Sequence, residues 1–383
     1  MGPTRHVVYD ARYLTAKPTG IGQVCREILR GLVRLPDAPP LTILARPDTP
    51  VPEEAAAAPG IQVVEAPWAP QGAANQRRLP GLLRKLGARL YHGPDVFNPV
   101  AARGAALVVT VHDLIPITCA HLLTRSRKSR FLPLWKTWLR LQVSRAAAIV
   151  AVSRFTAKDL TRILGVPARK IRVVHNPVRE WGTVEAPAPF RRRMGLTGRV
   201  IATAGRQDPY KNAAGLVRAM PSILRRCPDA TLVVAGPPDP RYPEASREAD
   251  RLGLQERVRF TGWLPDGDLG ALYRASDVFV FPSLYEGFGM PPLEAMRFGT
   301  PVVASDRTSL PEVLGDAAIL IDPEDPEALA GAVVRVLTDR ALAAHLREAG
   351  PRRAARYSAV EAARAYRAIY RDLLDSPTER SGP

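Results

Sequence analysis

The chain has 383 residues, 46% of them hydrophobic, and carries 54 Lys+Arg against 37 Asp+Glu, a formal net charge of +17. That length exceeds what one ordinary core organises, so two globular domains are expected. No apolar run reaches the roughly 18 residues of a membrane span, and Cys25, Cys119 and Cys227 share neither a metal-ligand spacing nor a disulfide pattern, which argues against spanning, zinc-module and disulfide-framework classes. A reducing cytoplasm is the expected compartment, and the segment Met1-Gly-Pro-Thr-Arg-His-Val7 does not read as a signal peptide. The charge is uneven: residues 1–185 hold 27 Lys+Arg and 12 Asp+Glu, a net of +15, whereas residues 186–383 hold 27 and 25, a net of +2. A uniform composition bias would charge both halves alike, so the first half asks for an anionic partner, and nucleic acid and an anionic membrane surface are the natural ones.

In chain order, short apolar runs predict strands at 6–10, 41–45, 61–64, 90–92, 107–111, 148–152 and 171–174. Helical periodicity falls near 21–34, 75–87, 129–145 and 154–164. The second half predicts strands at 200–204, 231–235, 258–261, 278–281, 301–304 and 319–321, with helices near 211–226, 241–253, 266–275, 291–298 and 326–338. Alternating strands and helices imply parallel sheets covered on both faces, which bind ligands at the carboxyl ends of their strands. Residues 176–197, with Pro177, Pro187 and Pro189 and little periodicity, mark the boundary. The expected organisation is a domain at 1–185, a second at 186–357, a helix at 358–375 packing back on the first, and a frayed tail at 376–383.

Glu286-Gly-Phe-Gly-Met-Pro-Pro-Leu-Glu294 is the segment richest in chemistry. It places two carboxylates around glycines and prolines, where an apolar strand hands over to a short helix that stops at Gly299. Backbone donors of Gly287, Phe288 and Gly289 before a helix favour an anion, and carboxylates favour hydroxyls, so a nucleotide sugar fits the mixture. The second half opens with Gly205-Arg206-Gln-Asp-Pro-Tyr-Lys211 after a strand, and these two cations suit a diphosphate, Arg206 as a fork and Lys211 as a point charge.

These segments resemble the retaining glycosyltransferases of family 4, an α/β class with the GT-B fold of two Rossmann-like domains facing a cleft. Thr19-Gly-Ile-Gly22, Val111-His112-Asp113-Leu-Ile-Pro116, Val150-Ala-Val-Ser153 and Val173-Val-His-Asn176-Pro177 agree with the family's pattern, and the resemblance runs from about residue 6 to 370. The resemblance implies that Arg206 and Lys211 hold the donor diphosphate and that Glu286, with the N–H groups of Phe288 and Gly289, holds the transferred sugar. It implies Glu294 on the ribose, Gly22 near the phosphates or acceptor, and His112 near the reacting carbon. Gly205, Leu264, Gly287 and Met290 complete the implied donor-binding set, and Gly20 and Asp113 lie on the acceptor side. The implied catalytic set is His112, Arg206, Lys211 and Glu286. Stabilising the departing diphosphate is then the main electrostatic task. The mannosyltransferase-type members are the nearest in pattern, so GDP-mannose is the favoured donor, with UDP- and dTDP-sugars as alternatives and a glycan or lipid-linked acceptor. No cofactor and no metal are expected.

Other motifs weaken on inspection. Gly20-x-Gly22-x-x-Cys25 lacks the third glycine of a dinucleotide fingerprint, and Arg46 rather than an acid follows the next strand. Asp266-Gly-Asp268 is read as a helix cap, not a metal site. Residues 122–141 mix cations with Phe131, Trp135, Trp138 and Leu141 at helical spacing, which suits either a helix in a membrane interface or one packed on the core. With the +15 first half, this favours a peripheral position on an anionic membrane surface, and no nucleic-acid-binding signature is visible.

Overall fold

The computed structural model describes residues 6–16, 19–36, 40–100, 102, 104–126 and 131–375. They form two compact units, the first drawn from Met1–Leu114, Pro133–Arg179 and Tyr357–Pro383, the second from Ile115–Leu132 and Glu180–Arg356.

The first unit holds seven parallel strands: β1 (Val7–Asp10), β2 (Leu41–Ala45), β3 (Ile61–Glu65), β4 (Leu90–Gly93), β5 (Ala106–Val111), β6 (Ala148–Ala151) and β7 (Ile171–Val173), in the order β3-β2-β1-β4-β5-β6-β7. The inner strands are continuous apolar runs because helices cover both faces, while the edge strands β3 and β7 are mostly exposed. The second unit holds six: β8 (Val200–Ala204), β9 (Thr231–Ala235), β10 (Val258–Gly262), β11 (Val278–Phe281), β12 (Val302–Ser305) and β13 (Ile319–Ile321), in the order β10-β9-β8-β11-β12-β13. All thirteen sequence-predicted strands form, within two residues at each end, and the pairings are all parallel. Each sheet reverses its winding once, between β1 and β4 and between β8 and β11, and those two switch points are where such sheets take ligands.

The closing helix Ala359–Asp375 belongs to the first unit's core. Ala363, Tyr366 and Tyr370 pack against helix Gly20–Val33, where a side chain at Gly31 would overlap the Ala359 carbonyl. Buried His92 ties sheet to helix, its Nδ1 at 2.5 Å from the Tyr370 hydroxyl and its Nε2 at 2.8 Å from Thr110 Oγ1.

The expected partition at 185/186 is corrected. The chain passes between units at 179/180, because Trp181 packs edge-on against Tyr273 and Phe298 of the second unit, whereas the Val178 N–H donates to the Tyr357 carbonyl of the first. Residues 115–132 also group with the second unit, where the Arg125 N–H donates to the Tyr242 hydroxyl at 3.1 Å. Helix Arg340–Ala354 is not among the sequence-predicted elements. Here Gly350 lets the helix pack against Met296, its would-be Cβ lying 3.3 Å from that residue's atoms. Asp266 is the first residue of helix Asp266–Ala275 and not its cap, and Asp268 pairs with Arg193 at 2.6 Å.

Candidate functional site

In the second unit the expected donor residues converge on the β8/β11 switch point. The chain leaves β8 through Gly205, whose carbonyl lies so near Gly236 that a Cβ there would sit 1.9 Å from it, and both glycines hold positive φ. A 3-10 turn, Pro209–Lys211, then sets Lys211 against the exit of β11. Its Nζ lies 2.6 Å from Glu286 Oε1 and 5.3 and 5.2 Å from the ring centres of Tyr210 and Phe281. Sequence reasoning placed Lys211 and Glu286 on different parts of a ligand, whereas the fold pairs them directly.

Glu286 is fixed from its backbone. Its N–H donates to Thr308 Oγ1 at 3.0 Å, and its carbonyl accepts from Ser309 Oγ at 2.9 Å. Thr308 adopts φ 60 to make this contact. Gly287 and Phe288 are buried, and Gly289 at φ 97 turns the chain into helix Met290–Arg297 with no side-chain cap. Pro291 and Pro292 carry no N–H, so the donors at this N-terminus are few and come from the residues ahead of them, with no capping side chain. Met290, half-buried, begins the helix, and buried Glu294 accepts a hydrogen bond from the Tyr273 hydroxyl at 3.0 Å. Leu264, half-buried, follows β10 two strands away from β8.

Arg206 is 59% exposed and lies 3.3 Å from each of Asp208 and Asp239. Arg241 makes a two-pronged contact to Asp239, holding that carboxyl down at a pKa of about 2. Asp208, Asp239, Thr308 and Ser309 were not anticipated. The first two are acids on strand-end loops with no motif of their own, and the last two act through backbone contacts that sequence spacing does not encode.

In the first unit, Gly20 and Gly22 open helix Gly20–Val33. Thr19 caps it, its Oγ1 accepting from the Gly22 N–H at 3.1 Å. A Cβ at Gly22 would come 2.8 Å from the Tyr13 carbonyl, whereas Gly20 meets nothing, so only Gly22 is needed for close approach. His112 follows β5, with Nε2 at 2.9 Å from the Pro94 carbonyl beyond β4. A carbonyl only accepts, so Nε2 carries the proton and Nδ1 keeps its lone pair. Burial lowers the His112 pKa below the usual histidine value, partly offset by Asp95 and that carbonyl, so the imidazole is neutral near pH 7. Asp95, absent from the sequence-derived set, is thus the carboxylate that acts on His112. Asp113 is half-buried beside the one-turn helix Ile115–Thr118.

Among the described residues no cluster of three metal-ligating side chains occurs, and no helix is long and apolar enough to cross a membrane. Two doubly wound parallel sheets, the second with a cation–carboxylate pair and an uncapped helix start at its switch point, define a glycosyltransferase of the GT-B type. Residues 18–180 match the model described as Glycosyltransferase Family 4, and residues 189–353 match Glycosyl transferases group 1. The O-antigen chain mannosyltransferase B of Escherichia coli is 34% identical over 271 residues, 69% of each chain. The serotype-specific mannosyltransferase WbdA of the same organism is 30% identical over 265 residues, 66% of this chain and 31% of that one. The sucrose-phosphate synthase structure from Thermosynechococcus elongatus superposes with a TM-score of 0.75 at 21% identity, covering 97% of this chain and all of that one. The chain belongs to glycosyltransferase family 4, with a group 1 catalytic domain, and is a hexosyltransferase.

Proposed function

We propose that this enzyme moves mannose from GDP-mannose to a glycan or lipid-linked acceptor, with retention of anomeric configuration, in the synthesis of a cell-surface polysaccharide. The observation that carries the reading is the Lys211–Glu286 pair at the β8/β11 switch point, ahead of the uncapped helix at Gly289. The mannose assignment draws on relatives named as mannosyltransferases. In this reading the helix N-terminus, Lys211 and Arg206 meet the diphosphate, Glu286 meets sugar hydroxyls, and Glu294 meets the ribose. The neutral His112 offers Nδ1 as an acceptor for a sugar hydroxyl. The bond from C1 to the diphosphate oxygen breaks, the acceptor oxygen bonds to C1, and the hydroxyl proton leaves with the nucleoside diphosphate. Charge developing on the leaving group is met by fixed cations, so the chemistry requires no metal, and a chelator leaves turnover unchanged.

We place the enzyme in the cytoplasm, peripheral to an anionic membrane. Supporting this, Phe131 and Leu134 are 55% and 71% exposed at the start of helix Leu132–Arg145, alongside Lys136 and Arg140. Arg127, Lys128 and Arg130 of the same basic run lie outside the described residues. Binding titrations with GDP-mannose, UDP-glucose and dTDP-glucose test the donor, and the anomeric configuration of the product tests retention. Tightest binding of GDP-mannose is the expected result. A preference for another nucleotide reassigns the donor, and an inverted product overturns retention.

A further inference from the structure

The first unit contains an open pocket of about 250 Å³ whose lining includes Gln71, Gly72, Ala73, Phe97, Trp135 and Trp138. It lies beyond the carboxyl ends of the strands, since residues 71–73 follow β3 and Phe97 follows β4. Its position is fixed by a buried network at the β1/β4 switch point. Fully buried Arg12 donates to Asp10 through Nε and Nη2 at 2.8 and 2.6 Å, to the Trp68 carbonyl at 3.2 Å and to Asn75 Oδ1 at 2.9 Å. Asn75 in turn donates to the Phe97 carbonyl at 3.2 Å. Gln142 accepts from the Asn98 N–H at 3.1 Å and donates to the Asn98 carbonyl at 3.2 Å, which docks helix Leu132–Arg145, and Trp135 lies beside Phe97 with ring centres 5.5 Å apart.

The composition of the walls selects an occupant. Aromatic faces carry negative potential and attract the polarised C–H face of a pyranose. Helix Ala73–Lys85 starts at Gly72 without a side-chain cap, and with the Asn75 N–H donating to the Gly72 carbonyl at 3.0 Å, the Ala73 and Ala74 N–H groups are the donors for hydroxyls. Gln71 is an exposed amide on the rim. The Trp138 indole N–H is shielded from water and finds no acceptor among the described residues, a cost that a ligand oxygen would relieve. The volume is below the usual drug-sized range of roughly 300–1,000 Å³ and suits a single sugar ring.

We propose that this cavity is a carbohydrate subsite that stacks one pyranose of the acceptor glycan against Trp135 and Trp138. The inference deepens the functional reading above: it rests on the acceptor being a glycan and is independent of GDP-mannose as donor. It also gives the two tryptophans a role other than membrane insertion.

The test uses the full chain labelled with 5-fluorotryptophan, its Trp135 and Trp138 resonances assigned with Trp135→Phe and Trp138→Phe. Methyl α-mannoside and mannobiose are titrated without nucleotide, with glycerol and cyclohexanol as controls. Saturable shifts of both resonances with the pyranosides alone are expected. No shift, or an equal response to cyclohexanol, overturns the proposal. In kinetics, Trp135→Ala is expected to raise the acceptor KM about tenfold while donor hydrolysis without acceptor is unchanged. Gln71→Ala, on the exposed rim where folding is not at stake, is expected to raise it about fivefold. Unchanged KM in Gln71→Ala with no fluorine response refutes the subsite even if Trp135→Ala fails to fold. Failure of every nucleotide to bind would sink the donor reading and leave the fluorine result standing.

Discussion

Lys211 and Glu286 allow structural and chemical roles to be separated by one set of variants: Lys211→Met, Glu286→Gln and the two combined. The side chains are 18% and 9% exposed with a contact of 2.6 Å. An exposed pair contributes under about 1 kcal/mol, while removing one partner of a fully buried pair costs about 3–5 kcal/mol because the survivor is left charged. This pair lies between those limits, so each single variant is expected to lose about 1–3 kcal/mol. At about 2–4 °C per kcal/mol for a unit of this size, the unfolding midpoint falls by about 2–12 °C. The double variant replaces the ion pair by neutral groups of similar shape and recovers most of that loss. Turnover behaves differently, because a cation facing a departing diphosphate is needed whatever the fold energy. All three variants are expected to lose about 10²–10³-fold in kcat. Calorimetry read beside a donor-hydrolysis and transfer assay measures both quantities. A double variant that regains turnover within tenfold of the parent would show that the pair is merely structural. Single variants with parental stability and turnover would refute the geometry itself.

Asp10→Ala strands the fully buried Arg12 guanidinium and the Tyr91 hydroxyl that donates to Asp10 at 2.7 Å, and is expected to cost about 3–5 kcal/mol by denaturant titration, whereas Asp10→Leu with Arg12→Met recovers only the part due to the stranded charge, because the Tyr91 hydroxyl stays without its acceptor. Gly289→Ala faces both φ 97 and a Leu310 methyl 2.5 Å from its new Cβ, so it should lose about 1–3 kcal/mol and weaken donor binding; parental donor affinity at parental stability would contradict the tight turn assigned here. His92 is held neutral by burial, with a pKa of about 3 against 6.5 for the unfolded chain. The folded state then binds fewer protons, so stability falls as pH drops from about 6.5 towards 3, by up to about 1.4 kcal/mol per unit, and His92→Gln should flatten that slope in a pH series of melts.

The sequence by itself determined the architecture. Thirteen apolar runs of strand length, spaced by helical patterns, leave little choice but parallel sheets with covered faces, and the inner runs became strands because their burial on both faces is written in consecutive residues. It also located the donor-side segments, since glycines before a helix and charges at strand ends are local signals: Gly205, Lys211, Glu286 and Gly289 all sit at the β8/β11 switch point. Local signals failed where a partner comes from far along the chain. Helix Arg340–Ala354, absent from the predicted elements, packs through Gly350 against Met296. Trp135 and Trp138 read equally as membrane anchors or core until they are seen lining a pocket with Phe97 and residues 71–73. The Lys211–Glu286 pairing, the support of Glu286 by Thr308 and Ser309, and the action of Asp95 on His112 were decided only by tertiary structure. The physical reason is the same in each case. Periodicity and turn chemistry fix which way a residue's backbone runs, but the partner of a buried charge or ring is set by how separate strands are ordered in the sheet.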